Sequence, residues 1–177
     1  MFAKLKTLST QRIGWFLLLI SALAFEACAL YFQYGMDLRP CVMCIYERVA
    51  IFVIAFSGLI GCLLPQYLLW RLFALAIGLA GAIKGLMLAI KHVNYQLHPS
   101  PLNQCTYLPE FPDTLPLDKW LPSLFQPTGV CTDKSWEFLG FSMAQWIVLI
   151  LSIYVVVLVA VLISQFFRIR TQKRLFS

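Results

Sequence analysis

The sequence predicts an all-α membrane protein: a bundle of four transmembrane helices with two loops on the outer side. The second loop is long and carries a short interfacial helix. Three observations predict this fold. Hydrophobic residues make up 60% of the 177 positions and charged residues only 12%, far from the composition of a soluble domain. Four apolar runs, residues 15–32, 49–64, 72–90 and 146–163, approach the roughly 20 residues that a bilayer core requires. The basic residues are spread unevenly over the segments that join those runs.

The chain reads as one domain over residues 1–177, with no room for a separate soluble unit. Residues 1–14 form an inner segment, 15–34 the first span and 35–44 a short outer loop. The second span is 45–64, the inner connection 65–71 and the third span 72–90. Residues 91–143 form the long outer loop, 144–163 the fourth span and 164–177 an inner tail. Lys4, Lys6, Arg12, Arg71, Arg168, Arg170, Lys173 and Arg174 all fall in the inner segments, which contain no acidic residue. The outer segments mix Arg39, Lys91, Lys119 and Lys134 with six acidic residues. The positive-inside rule therefore puts both termini in the cytoplasm and both cysteine-bearing loops outside. The net charge of +6 reports this topology and not nucleic-acid binding. Basic residues, an apolar stretch and Ala22-Leu23-Ala24 imitate a signal peptide, but the apolar run continues past a usual h-region.

Within the first span, Glu26 is expected as a neutral, hydrogen-bonded side chain facing the bundle, with a proton relay as the sharper alternative. Cys28 and Cys62 differ in depth by about 15 Å, too far for a disulfide, and are expected to be buried, inert thiols. The short 65–71 connection makes the second and third spans antiparallel neighbours. Ala74, Gly78, Gly81, Ala82 and Gly85 recur at four-residue spacing in the third span and permit close helix approach. Lys84 interrupts that span and is open to three readings: snorkelling, pairing with Glu26 or Glu47, or facing a polar cavity. The 91–142 stretch is Pro-rich and polar. Its segment around Trp120 suits a short helix on the outer membrane surface. Trp136, Phe138 and Trp146 fit an aromatic belt where the fourth span begins.

The chemistry is concentrated in Arg39-Pro40-Cys41-Val42-Met43-Cys44-Ile45-Tyr46-Glu47-Arg48. With Cys105 and Cys131 it places four cysteines on the outer, oxidising side, most simply as the disulfides Cys41–Cys44 and Cys105–Cys131. A structural zinc site is disfavoured, because only one Cys-x-x-Cys exists; His92 and His98 are the other potential ligands. Redox activity is favoured over a structural role. Cys44 lies near a helix start, where backbone N–H groups stabilise a thiolate, and Arg48 lies one turn deeper on the same face. A Cys-x-x-Cys ring is too small to serve as a useful staple. A second disulfide in a long loop, within reach of another protein, suggests a relay from a soluble dithiol to a lipid-dissolved acceptor.

The motif Pro40-Cys41-Val42-Met43-Cys44-Ile45-Tyr46-Glu47-Arg48 resembles the signature of the disulfide bond formation protein B (DsbB) family of Gram-negative bacteria. The resemblance continues through His92, Pro99-Ser100-Pro101, Cys105, Leu115-Pro116-Leu117-Asp118-Lys119-Trp120, Cys131 and Phe138-Leu139-Gly140. It implies a multi-pass protein of the inner membrane whose redox loops are periplasmic. It also implies an enzyme that reoxidises the periplasmic thiol oxidase DsbA and passes electrons to ubiquinone, or to menaquinone without oxygen. By resemblance, DsbA attacks Cys105, whose partner is Cys131. Cys41 then accepts electrons from the loop pair, and Cys44 hands them to the quinone. Arg48 would lie beside the quinone, with Glu47 and His92 as further candidates at that depth. Two alternatives differ from this reading. A vitamin K epoxide reductase-like protein would carry its loop cysteines before the Cys-x-x-Cys. A non-catalytic tetraspan scaffold with structural disulfides would have no use for Arg48.

Overall fold

The computed structural model of the chain describes residues 2–99, 105, 106, 109, 111, 116–133 and 136–166. Expectations for Ser100, Pro101, Glu110, Asp113, Leu115, Lys134 and the basic tail from Arg168 lie outside these residues. Four helices are long and apolar enough to cross a membrane. They are α2 (Arg12–Leu30, continued by a π-helical turn Tyr31–Gly35), α3 (Val42–Leu63), α4 (Leu68–Leu97) and α7 (Met143–Phe166). The bundle is therefore the all-α four-helix membrane fold that the apolar runs predict.

Helix α3 is the axis of this bundle, packed between α2 and α4, while α4 also carries α7. Its bounds follow from local chemistry. Cys41, in extended backbone, is its N-cap, and its sulfur accepts a hydrogen bond from the Cys44 amide at 3.3 Å. The helix stops where Pro65 disfavours a helical conformation at Leu64. The small residues of α4 do what their spacing suggests. A Cβ at Gly81 would lie 2.8 Å from Val53 Cγ1, and one at Gly85 equally close to Ala50 Cβ. Only glycine lets α3 and α4 approach that closely. Ile54, Leu75, Ala82 and Leu151 fill the centre, and the buried Ser57 hydroxyl there donates to Ala74 O at 2.8 Å.

Several elements differ from the sequence expectation. Helix α4 runs seven residues past Ile90, because Lys91, His92, Asn94 and Gln96 end the apolar run without ending the helix. Its 30 residues span about 45 Å, more than a bilayer core, so its end carries His92, Tyr95 and Gln96 up beside Cys41. An additional helix, α1 (Phe2–Thr10), breaks from α2 at the extended residue Gln11. It folds against the end of α7, where Lys6 Nζ donates to Gln165 O at 3.0 Å. The segment around Trp120 forms two short helices, α5 (Leu117–Trp120) and α6 (Pro122–Phe125), divided where Pro122 forces Leu121 out of helical geometry. A small hairpin, β1 (Glu137–Phe138) with β2 (Phe141–Ser142), precedes α7. Leu139 and Gly140 both have positive φ, as its two-residue turn requires. Lys84 is exposed on α4 and does not reach Glu26.

Candidate functional site

The four outer cysteines come together at the top of the bundle. Thr128 and Gly129 both donate backbone hydrogen bonds to Pro40 O at 2.9 Å, which ties the loop before Cys131 onto the loop before Cys41. Cys41, Met43, Tyr95 and Cys131 then form one buried cluster, with Cys44, Tyr46 and Cys105 packed on it. Cys105 and Cys131 are joined by a disulfide with Cα atoms 6.2 Å apart. This bridge does not stand out in solution: Cys131 is fully buried and Cys105 half-buried. Phe111 reinforces the docking by stacking edge-on against Tyr46 and Phe125.

The expected Cys41–Cys44 disulfide is not formed. The two sulfurs stand 2.8 Å apart and unbonded, with Cys41 Sγ engaged as the helix cap. Cys28 and Cys62 are free thiols but are not buried as expected. Cys28 is exposed on α2 and lines a cavity, and Cys62 is half-buried with its thiol toward Arg12 O.

Below the sulfurs, two neighbouring residues of α3 face different ways. Glu47 accepts from His92 Nδ1 at 2.9 Å, and His92 Nε2 lies 3.5 Å from Cys41 Sγ. Glu47 and His92 are thus directed at the sulfurs, although they also border the cavity. Arg48 turns toward α2 and the loop. One Nη donates to Gln33 Oε1 at 3.0 Å and to Leu124 O at 2.6 Å, while Nε lies 3.4 Å from Glu26 Oε2. The last contact is close enough for an ion pair but is not aligned as a hydrogen bond. Both Glu26 oxygens and Arg48 Nε are therefore left without hydrogen-bond partners, although both residues are about 95% buried.

Glu26 and Arg48 are also among the residues that line a cavity of about 410 Å³ between α2, α3, α7 and the hairpin. Phe25, Ile51, Ile147 and Ile150 give it apolar walls, and Cys44, Arg48, Glu26 and Gln33 place polar groups along one side. Trp136, Phe138 and Trp146 form an aromatic rim, with Trp136 packed 5.1 Å from Phe32 and stacked on Phe138. An apolar slot with a few convergent polar groups suits a flat, mostly apolar ligand carrying hydrogen-bonding oxygens.

Gln33 and the Leu124 carbonyl are not foreseen from the sequence, and Glu26, expected as a neutral, hydrogen-bonded side chain facing the bundle, is buried but has no hydrogen-bond partner. A signal for Gln33 existed, since positions 26 and 33 are seven apart and share one helical face. A main-chain carbonyl leaves no such signal. A zinc site is disfavoured from sequence because only one Cys-x-x-Cys exists and Cys105 and Cys131 are far apart, with His92 and His98 as further potential ligands. The structure instead brings His92 to Cys41 and Cys44, with all three ligand atoms within 4.8 Å of one another.

Comparison with known proteins bears on the same residues. The family model for disulfide bond formation protein DsbB matches residues 11–161. Among curated relatives, disulfide bond formation protein B of Pasteurella multocida is 59% identical over 177 residues, covering 99% of each chain. The protein of that name from Histophilus somni is 57% identical over 171 residues, 97% of each chain. That from Haemophilus influenzae strain Rd is 48% identical over the full length of both. With the motif, the four-helix bundle and nearly full-length likeness all in agreement, the chain belongs to the DsbB family.

Proposed function

We propose that the buried cysteine cluster and the cavity beside it form one electron path, from a partner dithiol at Cys105–Cys131 through Cys41–Cys44 to a membrane quinone next to Arg48. As a DsbB family member the protein is a quinone-dependent disulfide oxidoreductase of the bacterial inner membrane that reoxidises DsbA. The observation that carries the residue-level reading is the shared wall of the cavity. Cys44 borders it together with Arg48 and Glu26, of which Arg48 Nε and both Glu26 carboxylate oxygens have no hydrogen-bond partner.

The residues fit a quinone head group by polarity, with apolar walls and a few polar side chains. The quinone, when bound, supplies the two-electron, two-proton acceptor that lets the Cys41/Cys44 dithiol become a disulfide. Arg48 is the cation at the cavity wall that donates to a ligand oxygen and offsets negative charge gathering there. Gln33 and Leu124 O hold the guanidinium in place, and Glu26 supplies its counter-charge. His92, whose Nδ1–H is taken by Glu47, presents Nε2 as an acceptor for the Cys41 thiol proton. Exchange begins with a DsbA thiolate forming a bond to Cys105 Sγ and breaking the bond to Cys131. The released Cys131, packed beside Cys41, can attack the Cys41–Cys44 disulfide. Both termini are assigned to the cytoplasm and both cysteine loops to the periplasm. Ubiquinone is the assigned acceptor, with menaquinone in its place without oxygen.

Purified protein supplied with reduced DsbA should reduce ubiquinone. With Cys131→Ser, a mixed disulfide between DsbA and Cys105 should accumulate, and peptide mapping should find Cys28 and Cys62 as free thiols. Accumulation on Cys41 or Cys44 instead would refute the proposed order.

A further inference from the structure

The geometry points to a binding site for one thiophilic divalent metal ion, of the zinc class, formed by Cys41 Sγ, Cys44 Sγ and His92 Nε2 and present only when the two cysteines are reduced. This goes beyond the electron path and depends on side-chain placement alone.

Tetrahedral zinc binds sulfur at about 2.3 Å and imidazole nitrogen at about 2.0–2.1 Å, which sets S–N separations near 3.5 Å and S–S separations near 3.8 Å. Cys41 Sγ and His92 Nε2 are already 3.5 Å apart. The sulfurs, at 2.8 Å, must part by about 1 Å to meet the S–S value. Cys44, only half-buried and at the cavity edge, has room to rotate. Glu47 completes the arrangement. Its carboxylate takes His92 Nδ1–H at 2.9 Å and so leaves Nε2 as the ligand, the carboxylate–histidine–metal pattern that orients such sites.

Charge also selects the ion. Two thiolates and a neutral imidazole cancel a divalent cation, so the ion and its three ligands are neutral together and only the Glu47 carboxylate behind His92 keeps a charge, where Cys41, His92 and Glu47 are each at least 97% buried. Binding releases the two thiol protons and moves no electrons. The fourth position faces the cavity and stays open to water or an exchanging ligand, the form of a reversible site and not of a structural one. The disulfide form offers neither thiolate. The ion therefore captures only the reduced half of the cycle and withholds its electrons from the acceptor.

The test uses full-length protein in detergent, stripped of quinone, with Co²⁺ as the probe. Reduced protein should bind one equivalent, with thiolate-to-cobalt charge-transfer absorption and tetrahedral visible bands that Zn²⁺ abolishes. Protein oxidised at Cys41–Cys44 should lack these bands. Cys44→Ser should remove most of the charge-transfer intensity, and Glu47→Gln should weaken affinity about 10–100-fold. His92→Gln, checked for unaltered thermal unfolding, should shift the visible bands. Equal binding by the oxidised protein, bands that survive Cys44→Ser, or bands lost only with Cys105→Ser and Cys131→Ser would overturn the assignment. Activity enters none of these readouts, so a failed quinone assay and a failed metal titration are separate results.

Discussion

Glu47 and Arg48 are consecutive on α3, yet each anchors a different buried acid–base pair, and the two pairs are finished to different degrees. Glu47–His92 is a well-aligned hydrogen bond at 2.9 Å that leaves only Glu47 Oε2 unmatched, and its histidine goes on to meet Cys41 Sγ. Arg48–Glu26 is a 3.4 Å ion pair that leaves Nε and both carboxylate oxygens unmatched. Adjacent helix positions point about 100° apart, so one pair serves the sulfurs and the other serves the cavity. A buried charge pair without full hydrogen bonding is costly, and such incompleteness is expected where a ligand supplies the missing contacts. The better-matched pair positions a group beside the sulfurs; the less-matched pair borders the cavity.

Three substitutions can break or sharpen this contrast. The largest effect is expected from Arg48→Leu. Hydrogen bonds to charged groups contribute about 1.5–3 kcal/mol, so apparent KM for quinone should rise roughly 10–100-fold while exchange with DsbA at Cys105 is unaffected. Quinone titrations decide the matter, since an unchanged KM and turnover would remove Arg48 from the cavity's chemistry. Glu47→Gln should act on the other pair. An amide no longer fixes the imidazole tautomer, so turnover should fall by about 10-fold with KM for quinone little changed, less than the roughly 10²–10⁴-fold worth of a general acid–base group because Glu47 acts through His92. A rise in KM without loss of turnover would place Glu47 with the cavity instead. The smallest effect is expected from Glu26→Gln, because Gln33 and Leu124 O still hold the guanidinium. Apparent KM should rise about 5-fold, less than the worth of one charged hydrogen bond. A loss equal to that of Arg48→Leu would show that Glu26 itself contacts the acceptor.

Much of this was legible in the sequence where the signal is local or periodic. The apolar runs gave the four helices, and the four-residue steps Ala74–Gly78, Gly78–Ala82 and Gly81–Gly85 marked the face of α4 that meets α3. The Cys-x-x-Cys beside Arg48 marked the site. What stayed hidden depends on distant pairings or on the main chain. Arg48's partners come from α2 and from the Leu124 carbonyl, 76 residues away, and no spacing rule connects them. The end of α4 was misplaced because hydropathy reports where lipid stops, whereas the helix continues until the residues before Pro99. The hairpin turn was hidden because Leu139-Gly140 lacks the Asn-Gly or Asp-Gly that usually announces it. The loop disulfide's burial was invisible because it depends on Thr128 and Gly129 meeting Pro40, a contact between backbones.

The π-helical turn at the end of α2 can also be counted in units of chain length. Met36 N bonds to Tyr31 O at 3.2 Å, a five-residue step, which amounts to one residue inserted into an otherwise regular helix. From this turn Gln33 reaches both Arg48 and Ser123 O, and Tyr34 reaches Ser123 O as well. Removing any one residue between 31 and 35 would close the turn to α-helical width and swing the side chains beyond it by about 100°. Substitutions in this segment remove one contact at a time, but a single-codon deletion would separate the loop from the cavity in one step. The length of this segment is therefore under a tighter constraint than most of its side chains.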